Sequence, residues 1–183
     1  MTEARRFARL RATVPSGSFG YFAVPEDGLC LNAFVLLQPK GRSGEVLLGK
    51  LNPSAPWDHL GALDPERIRG IGDRWVLPAS QLLLFESPQQ AASRVVQEQL
   101  GVSKLAMKGP EVFSETYSRG ATTERDPHWD IQFLFRANWG ARAPPPGPAY
   151  REVAFVDPRK MFRRDFGRAH GDILELAGLG PRD

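Results

Sequence analysis

Residues 74–102, RWVLPASQLLLFESPQQAASRVVQEQLGV, constrain the fold more than any other stretch of the chain. They spell a strand, a tight turn, a short second run, a capped helix and a glycine stop. Ser87 is a good N-cap, and Pro88 suits the first helical position because its missing N–H would be unbonded there anyway. Gln90 completes a capping box with Ser87. Gly101 supplies the left-handed residue that ends a helix. Ala91, Ala92, Val95, Val96 and Leu100 fall on one broad apolar face.

A second face of this helix is polar. Gln90, Arg94 and Glu98 follow one another at spacings of four, and Glu86 stands in the loop just ahead. A well-capped amphipathic helix packed on a sheet satisfies this periodicity without any function attached.

The residues also fit a specific pattern. The stretch resembles the Nudix box, which reads Gly, five residues, Glu, seven residues, then Arg-Glu-apolar-x-Glu-Glu-x-Gly-apolar. Glu86 falls on the first glutamate, Arg94 on the arginine, Val96 on the apolar position and Glu98 on the first member of the closing pair. Gly101 and Val102 fall on its end, and Trp75-Val76-Leu77-Pro78 is similar to the strand that enters the box. The resemblance implies an α/β/α sandwich around a mixed β-sheet, with the box region at 80–102 and its Glu86–Gly101 loop and helix bordering a cleft.

Three positions depart from the pattern. Ser80 replaces the box glycine, Val95 a glutamate and Gln99 the second glutamate of the closing pair. In the family the glutamates hold divalent metal against a diphosphate. Magnesium prefers carboxylate oxygens, and it both stabilises charge at phosphorus and helps to generate the attacking hydroxide. Positions 95 and 99 share a helix face. Valine offers that face no ligand, and glutamine offers only a neutral carbonyl. Glu98 and Glu86 remain as the metal-binding and catalytic candidates, with Mg or Mn as the implied ion. On this reading Arg94 braces Glu86 or the box loop through charge-assisted hydrogen bonds. Restoring glutamate at 95 and 99 is expected to strengthen metal binding if their face meets the cleft.

Further candidates lie outside the box. In His128-Trp129-Asp130-Ile131-Gln132-Phe133-Leu134-Phe135 the alternation is that of a strand, with aromatics on one face and His128, Asp130 and Gln132 on the other. That polar face is either a cleft wall, where His128 or Asp130 binds phosphate, ligates a metal or acts as a base, or an ordinary outer surface. Residues 52–73 form a long segment with a short helix expected from Asp64 to Arg69. Trp57 within it either stacks on a ligand ring or plugs the core. Asp58 and His59 are a weaker metal candidate.

The remaining order is strands over Phe19–Val24, Leu29–Gln38 and Glu45–Leu51, the last two read as a hairpin. An extended run over Leu105–Tyr117 and a strand over Tyr150–Val156 follow. Helical segments are expected over Pro158–Phe162 and Asp165–Leu179. The Pro-rich loop 143–148 reads as a connector. Arg5, Arg6, Arg9 and Arg11 near the start are either a phosphate-binding arm or a solvated element.

With 183 residues, 42% hydrophobic and 25% charged, the chain is expected to form one domain over residues 1–183. A net charge of +3 and a pI near 9.3 suit an anionic small ligand and fall short of a nucleic-acid-binding signature. The single cysteine, Cys30, forms no intrachain disulfide and reads as a buried small residue. The apolar runs are too short to cross a bilayer, so a cytoplasmic location is expected. The expected function is a Nudix-like domain that binds a nucleoside-diphosphate-linked or related phosphorylated ligand, with weak or absent standard Mg-dependent hydrolysis. Two alternatives stay open. One is an active pyrophosphohydrolase using Glu98 and Glu86 with ligands recruited from Glu111, Glu115 or Asp130. The other is a protein-interaction module. Oligomeric state, a homodimer included, is left open.

Overall fold

The computed structural model of the chain describes residues 9–10, 29–117 and 128–183. The strand expected at 19–24, the loop at 118–127 and, of the basic residues near the start, Arg5, Arg6 and Arg11 lie outside the described residues, whereas the backbone of Arg9 is in β1 (Arg9–Leu10).

The centre is a long parallel pair. β2 (Leu29–Pro39) and β7 (His128–Trp139) run in register from Leu29 opposite Trp129 to Pro39 opposite Trp139. β6 (Lys108–Tyr117) lies antiparallel on the other edge of β7. β1 (Arg9–Leu10) and β5 (Ala79–Gln81) lie antiparallel on the other edge of β2. A second sheet has β3 (Val46–Leu51) between β4 (Trp75–Val76) and β8 (Tyr150–Val156), all antiparallel.

The expected β2–β3 hairpin does not form. Both edges of β2 are taken, so the chain turns through Lys40–Gly44 and β3 joins the other sheet. Gly41 at φ 81° and Gly44 at φ 89° supply the left-handed residues of that turn.

Period-two alternation sends successive side chains into two cores. Val35 and Leu37 of β2 and Leu47 of β3 pack with α1 (Trp57–Leu60), α2 (Pro65–Ile71) and α3 (Pro88–Leu100). Phe34, Leu36, Val46 and Leu48 pack on the opposite face, against Phe166, Ile173 and Leu174 around α4 (His170–Leu176). The two sheets therefore share helical layers above and below, which is the expected α/β/α sandwich. α2 starts at its Asp64 cap, whose Oδ1 accepts from Arg67 N at 2.8 Å, whereas α1 was not foreseen.

The C-terminal segment is more broken than its periodicity suggested. Only 3-10 turns form at Pro158–Lys160 and Arg163–Asp165, and α4 covers seven residues. The reason is sheet pairing. Phe166 bridges Trp75 in parallel and Gly167 N donates to Trp75 O at 2.9 Å, so these residues extend the edge at β4 instead of a helix.

His170 is buried where α4 meets the sheet. Its Nδ1 accepts from Leu77 N at 2.8 Å, and its ring meets Phe34 edge-on at 5.2 Å. Burial, with the nearby Arg168 charge, holds its pKa well below the usual histidine value, so the imidazole is neutral. The unfolded chain therefore takes up a proton near pH 6.5 that the folded chain refuses, and stability falls as pH drops below that value. Going from pH 7.5 to 5.5 is expected to cost about 1 kcal/mol through this residue alone. Urea unfolding at both pH values should show the cost shrinking in His170→Asn, whose amide oxygen can still accept from Leu77. An equal loss in the variant would contradict the assignment.

Candidate functional site

The box helix α3 is built as its sequence dictates. Ser87 Oγ accepts from Gln90 N at 3.2 Å, Gln90 Oε1 accepts from Ser87 N at 2.9 Å, and Gly101 closes the helix at φ 73°. Leu82 tucks between Ala33 and Ala91, which anchors the preceding loop under the first turn.

Arg94 is a structural brace. Its Nε and Nη2 each donate to a Glu86 oxygen at 2.8 Å, a bidentate pair in which each side chain is 10% exposed. Nη2 also reaches Gln81 O at 2.9 Å and Nη1 reaches Ser80 Oγ at 3.3 Å. Leu83 N donates to Glu86 Oε2 at 2.8 Å. One guanidinium thus ties both ends of loop 80–86 to the helix. Charge-assisted bonds of this geometry are the strong ones, and a pair this withdrawn from water loses little to screening. The loop tip is held in a costly form: Phe85 has φ 66° and is 97% exposed.

The face carrying positions 95 and 99 points into the core. Val95 is 1% and Gln99 0% exposed, among Val96, Leu100, Trp57, Leu60 and Tyr150. The Gln99 amide is used on both sides. Nε2 donates to Leu60 O at 3.1 Å and Ala79 O at 2.8 Å, and Oε1 accepts from the Tyr150 hydroxyl at 2.6 Å. A carboxylate could not donate to those two carbonyls. The residue is matched to its surroundings by being an amide, and the condition on which glutamates at 95 and 99 were expected to strengthen metal binding, a face that meets the cleft, is not met, since Val95 and Gln99 are buried. Segment 52–73, whose Leu60 carbonyl caps the amide, covers that face. Gly147 of the Pro-rich connector closes it from the other end, since a Cβ there would meet Gln99 O at 2.3 Å.

The divalent ion implied by the resemblance does not fit the residues present. Both Glu86 oxygens are engaged, Val95 has no donor atom, and Gln99 is fully bonded in the core. Glu98 is the helix carboxylate that retains partial exposure. Among the described residues no cluster of three or more His, Cys, Asp or Glu could hold a metal. The carboxylates considered for recruitment are separately occupied. Glu111 is paired with Arg136 at 2.5 and 3.1 Å, which holds its carboxyl below the usual range, and Asp130 Oδ1 accepts from Asn32 Nδ2 at 3.3 Å. The side chain of Glu115 lies outside the described residues.

Trp57 is a core residue and not a stacking platform. It is 2% exposed, its Nε1 donates to Asn52 O at 2.9 Å, and its ring meets Tyr150 edge-on at 5.8 Å. The polar face of β7 is inward-facing: Asp130 is 9% and Gln132 1% exposed, beside Asn32 at 8%. The same face continues into Leu134 and Phe34 beneath α4, so it cannot be an ordinary outer surface. His128 opens β7 opposite Tyr117, and its side chain lies outside the described residues.

Sequence reasoning placed Gln99 as a weak ligand and missed Tyr150, its partner. A glutamine four residues from a valine on the apolar stripe was the available signal. Tyr150 is buried, which pushes its hydroxyl far above the usual tyrosine range and fixes it as a donor. In Val95→Glu with Gln99→Glu, two carboxylates enter this core and two carbonyls lose their donor. The double variant should lose at least about 3 kcal/mol of unfolding free energy. Urea titrations with and without Mg²⁺ check this; wild-type stability together with a new metal-dependent gain would refute it.

No protein-family model and no curated protein sequence matches the chain. Solved structures do. A MutT Nudix hydrolase from Burkholderia pseudomallei superposes with a TM-score of 0.53 at 15% identity, covering 80% of this chain and 96% of that one. The Nudix domain of Shewanella oneidensis NrtR, solved with ADP ribose, superposes with a TM-score of 0.52 at 16% identity, covering 82% and 87%. At such identities the likeness concerns the fold, and on that ground this chain has the fold of the Nudix hydrolases.

Proposed function

We propose that this protein binds a nucleoside-diphosphate-linked or related phosphorylated ligand, and that its degenerate box serves as scaffold instead of metal-assisted hydrolysis. The carrying observation is Gln99, a buried amide with its donors and acceptor engaged where the family pattern needs a carboxylate in the cleft. The Arg94–Glu86 clamp supports the same reading, because it commits the box glutamate to holding the loop.

The ligand class follows from the fold and from the mildly basic charge of the chain. The NrtR Nudix domain that superposes on this chain was solved with ADP ribose. That compound is accordingly the first probe to use, with other nucleotide sugars and dinucleotides beside it. The proposal takes residues 1–183 as one unit in the cytoplasm. Among the described residues, no helix is long and apolar enough to cross a membrane.

Thermal unfolding and calorimetry with this panel are expected to reveal a ligand that stabilises the fold by mass action, with an affinity unchanged by Mg²⁺ or Mn²⁺. Product formation should stay far below ordinary enzymatic rates, about 1 s⁻¹. Turnover near that rate that vanishes in Glu98→Gln would replace this proposal with the hydrolase reading.

A further inference from the structure

The loop between β5 and the box helix carries an apolar tip. Leu82, Leu83, Leu84 and Phe85 are four apolar residues in a row, a run that a loop meeting only water has no use for. Leu82 is buried between Ala33 and Ala91, but Leu84 is 47% and Phe85 97% exposed. Phe85 also sits at φ 66°, a left-handed backbone that is an outlier for a bulky side chain, and strain of this kind collects at functional positions. The tip thus combines backbone strain with an aromatic ring left in water. The Arg94–Glu86 clamp and the bond from Leu83 N to Glu86 hold it in that form, so the ring is preorganised for a contact outside its own chain.

The helix behind the tip presents a matching surface. Gln89, Ser93 and Gln97 follow one another at spacings of four, with Gln90 beside them, and all four are exposed and uncharged. The first turn holds no acidic residue and the last turn no basic one. In a chain that is 25% charged, such a stripe is unlike a solvated face. Depletion of charge beside an aromatic anchor is the composition of an interface core. At the other end of the same helix a cavity of about 420 Å³ opens between α3 and residues 102–107. The apolar side chains of Val96, Val102, Leu105 and Met107 line it, Ser93 borders it from the uncharged stripe, and the exposed Lys104 stands among them. A volume of this size takes an aromatic ring.

We propose that the exposed face of α3 is a homodimer interface in which the Phe85 tip of each copy fills the cavity at residues 102–107 of the other. The occupant is a second copy because this chain carries both halves of the contact, an exposed knob and an open cavity, at the two ends of one element. Phe85 lies ahead of the first turn and the cavity beside the last, on a helix of 13 residues, about 20 Å long. A two-fold axis near Ser93 sets two copies of α3 antiparallel, which carries the N-terminal tip of each to the C-terminal end of the other. Such a contact is isologous and closes on itself, so both knobs and both cavities are used. Gln89, Ser93 and Gln97 supply uncharged hydrogen-bonding groups along the seam, and Lys104 offers a cation to the face of the entering ring.

Sedimentation equilibrium of the full chain tests the pairing. Wild type is expected to dimerise reversibly. Phe85→Gly removes the knob and Ala106→Trp fills the cavity that Ala106 also lines, and each should raise the dimer dissociation constant at least tenfold. At a concentration low enough for wild type to be monomeric, Phe85→Gly should melt no lower, since glycine takes φ 66° without strain. Mixing the two variants is the sharper arm. The mixed pair keeps one intact contact, Phe85 of the Ala106→Trp chain in the open cavity of the Phe85→Gly chain, so it should associate more tightly than either variant does with itself. A wild-type chain that sediments as a monomer at every concentration overturns the proposal, and so does a dimer indifferent to Phe85→Gly. A Phe85→Gly monomer that melts lower makes the ring a structural residue and also overturns it. Mixed variants that associate no better than each alone overturn the pairing of tip with cavity.

Discussion

The Gln99 amide is the point on which the arrangement of this molecule turns. It lies where the box helix, the β4–β5 corner, α1 and β8 meet, and it bonds to all three of its neighbours through Leu60, Ala79 and Tyr150. In a low-dielectric interior such a satisfied network specifies one packing, and each unsatisfied alternative is costly. Tyr150 brings β8 into the arrangement, and it can do so because β3 carries Gly49 opposite its ring. A Cβ at Gly49 would meet that ring at 2.3 Å. The helix is thus held from three directions by a group that cannot serve as a hard metal ligand while doing so.

That constraint explains why the box reads as it does. The Arg94–Glu86 pair and Gly101 match the box pattern, and with Pro88 and the capping box they are the parts that shape a loop and a helix. Ser80, Val95 and Gln99 are the parts that differ, and all three are packed. A valine is what the core side of a helix calls for, and an amide is what two facing carbonyls and a hydroxyl call for. The sequence departures and the burial are one fact seen twice.

How much of this was legible in the chain depended on range. The helix was readable to the residue because its caps, its proline and its glycine act within one turn. The Arg94–Glu86 brace was readable because both ends belong to one short motif. The direction in which positions 95 and 99 point was not, because it is set by segment 52–73 folding over the helix. Nothing local to Trp57 or Leu60 announces that. The β2–β3 hairpin failed for a similar reason: whether a turn joins two paired strands depends on which partners arrive from far along the chain. β7 took that edge across a hundred residues of sequence. Asp130 and Gln132 were read correctly as sharing one face, yet α4 and its approach decide that the face is interior.

The central claim is that the box helix keeps its fold by burying the face that would otherwise grip a metal. A crystal grown with Mn²⁺ and ADP ribose, measured at the manganese absorption edge, tests it most directly. The account predicts ligand density without an anomalous peak beside Glu98, and an unmoved Gln99 amide. A manganese ion coordinated by the Glu98 and Glu86 carboxylates, with Arg94 released from its pair, would contradict it.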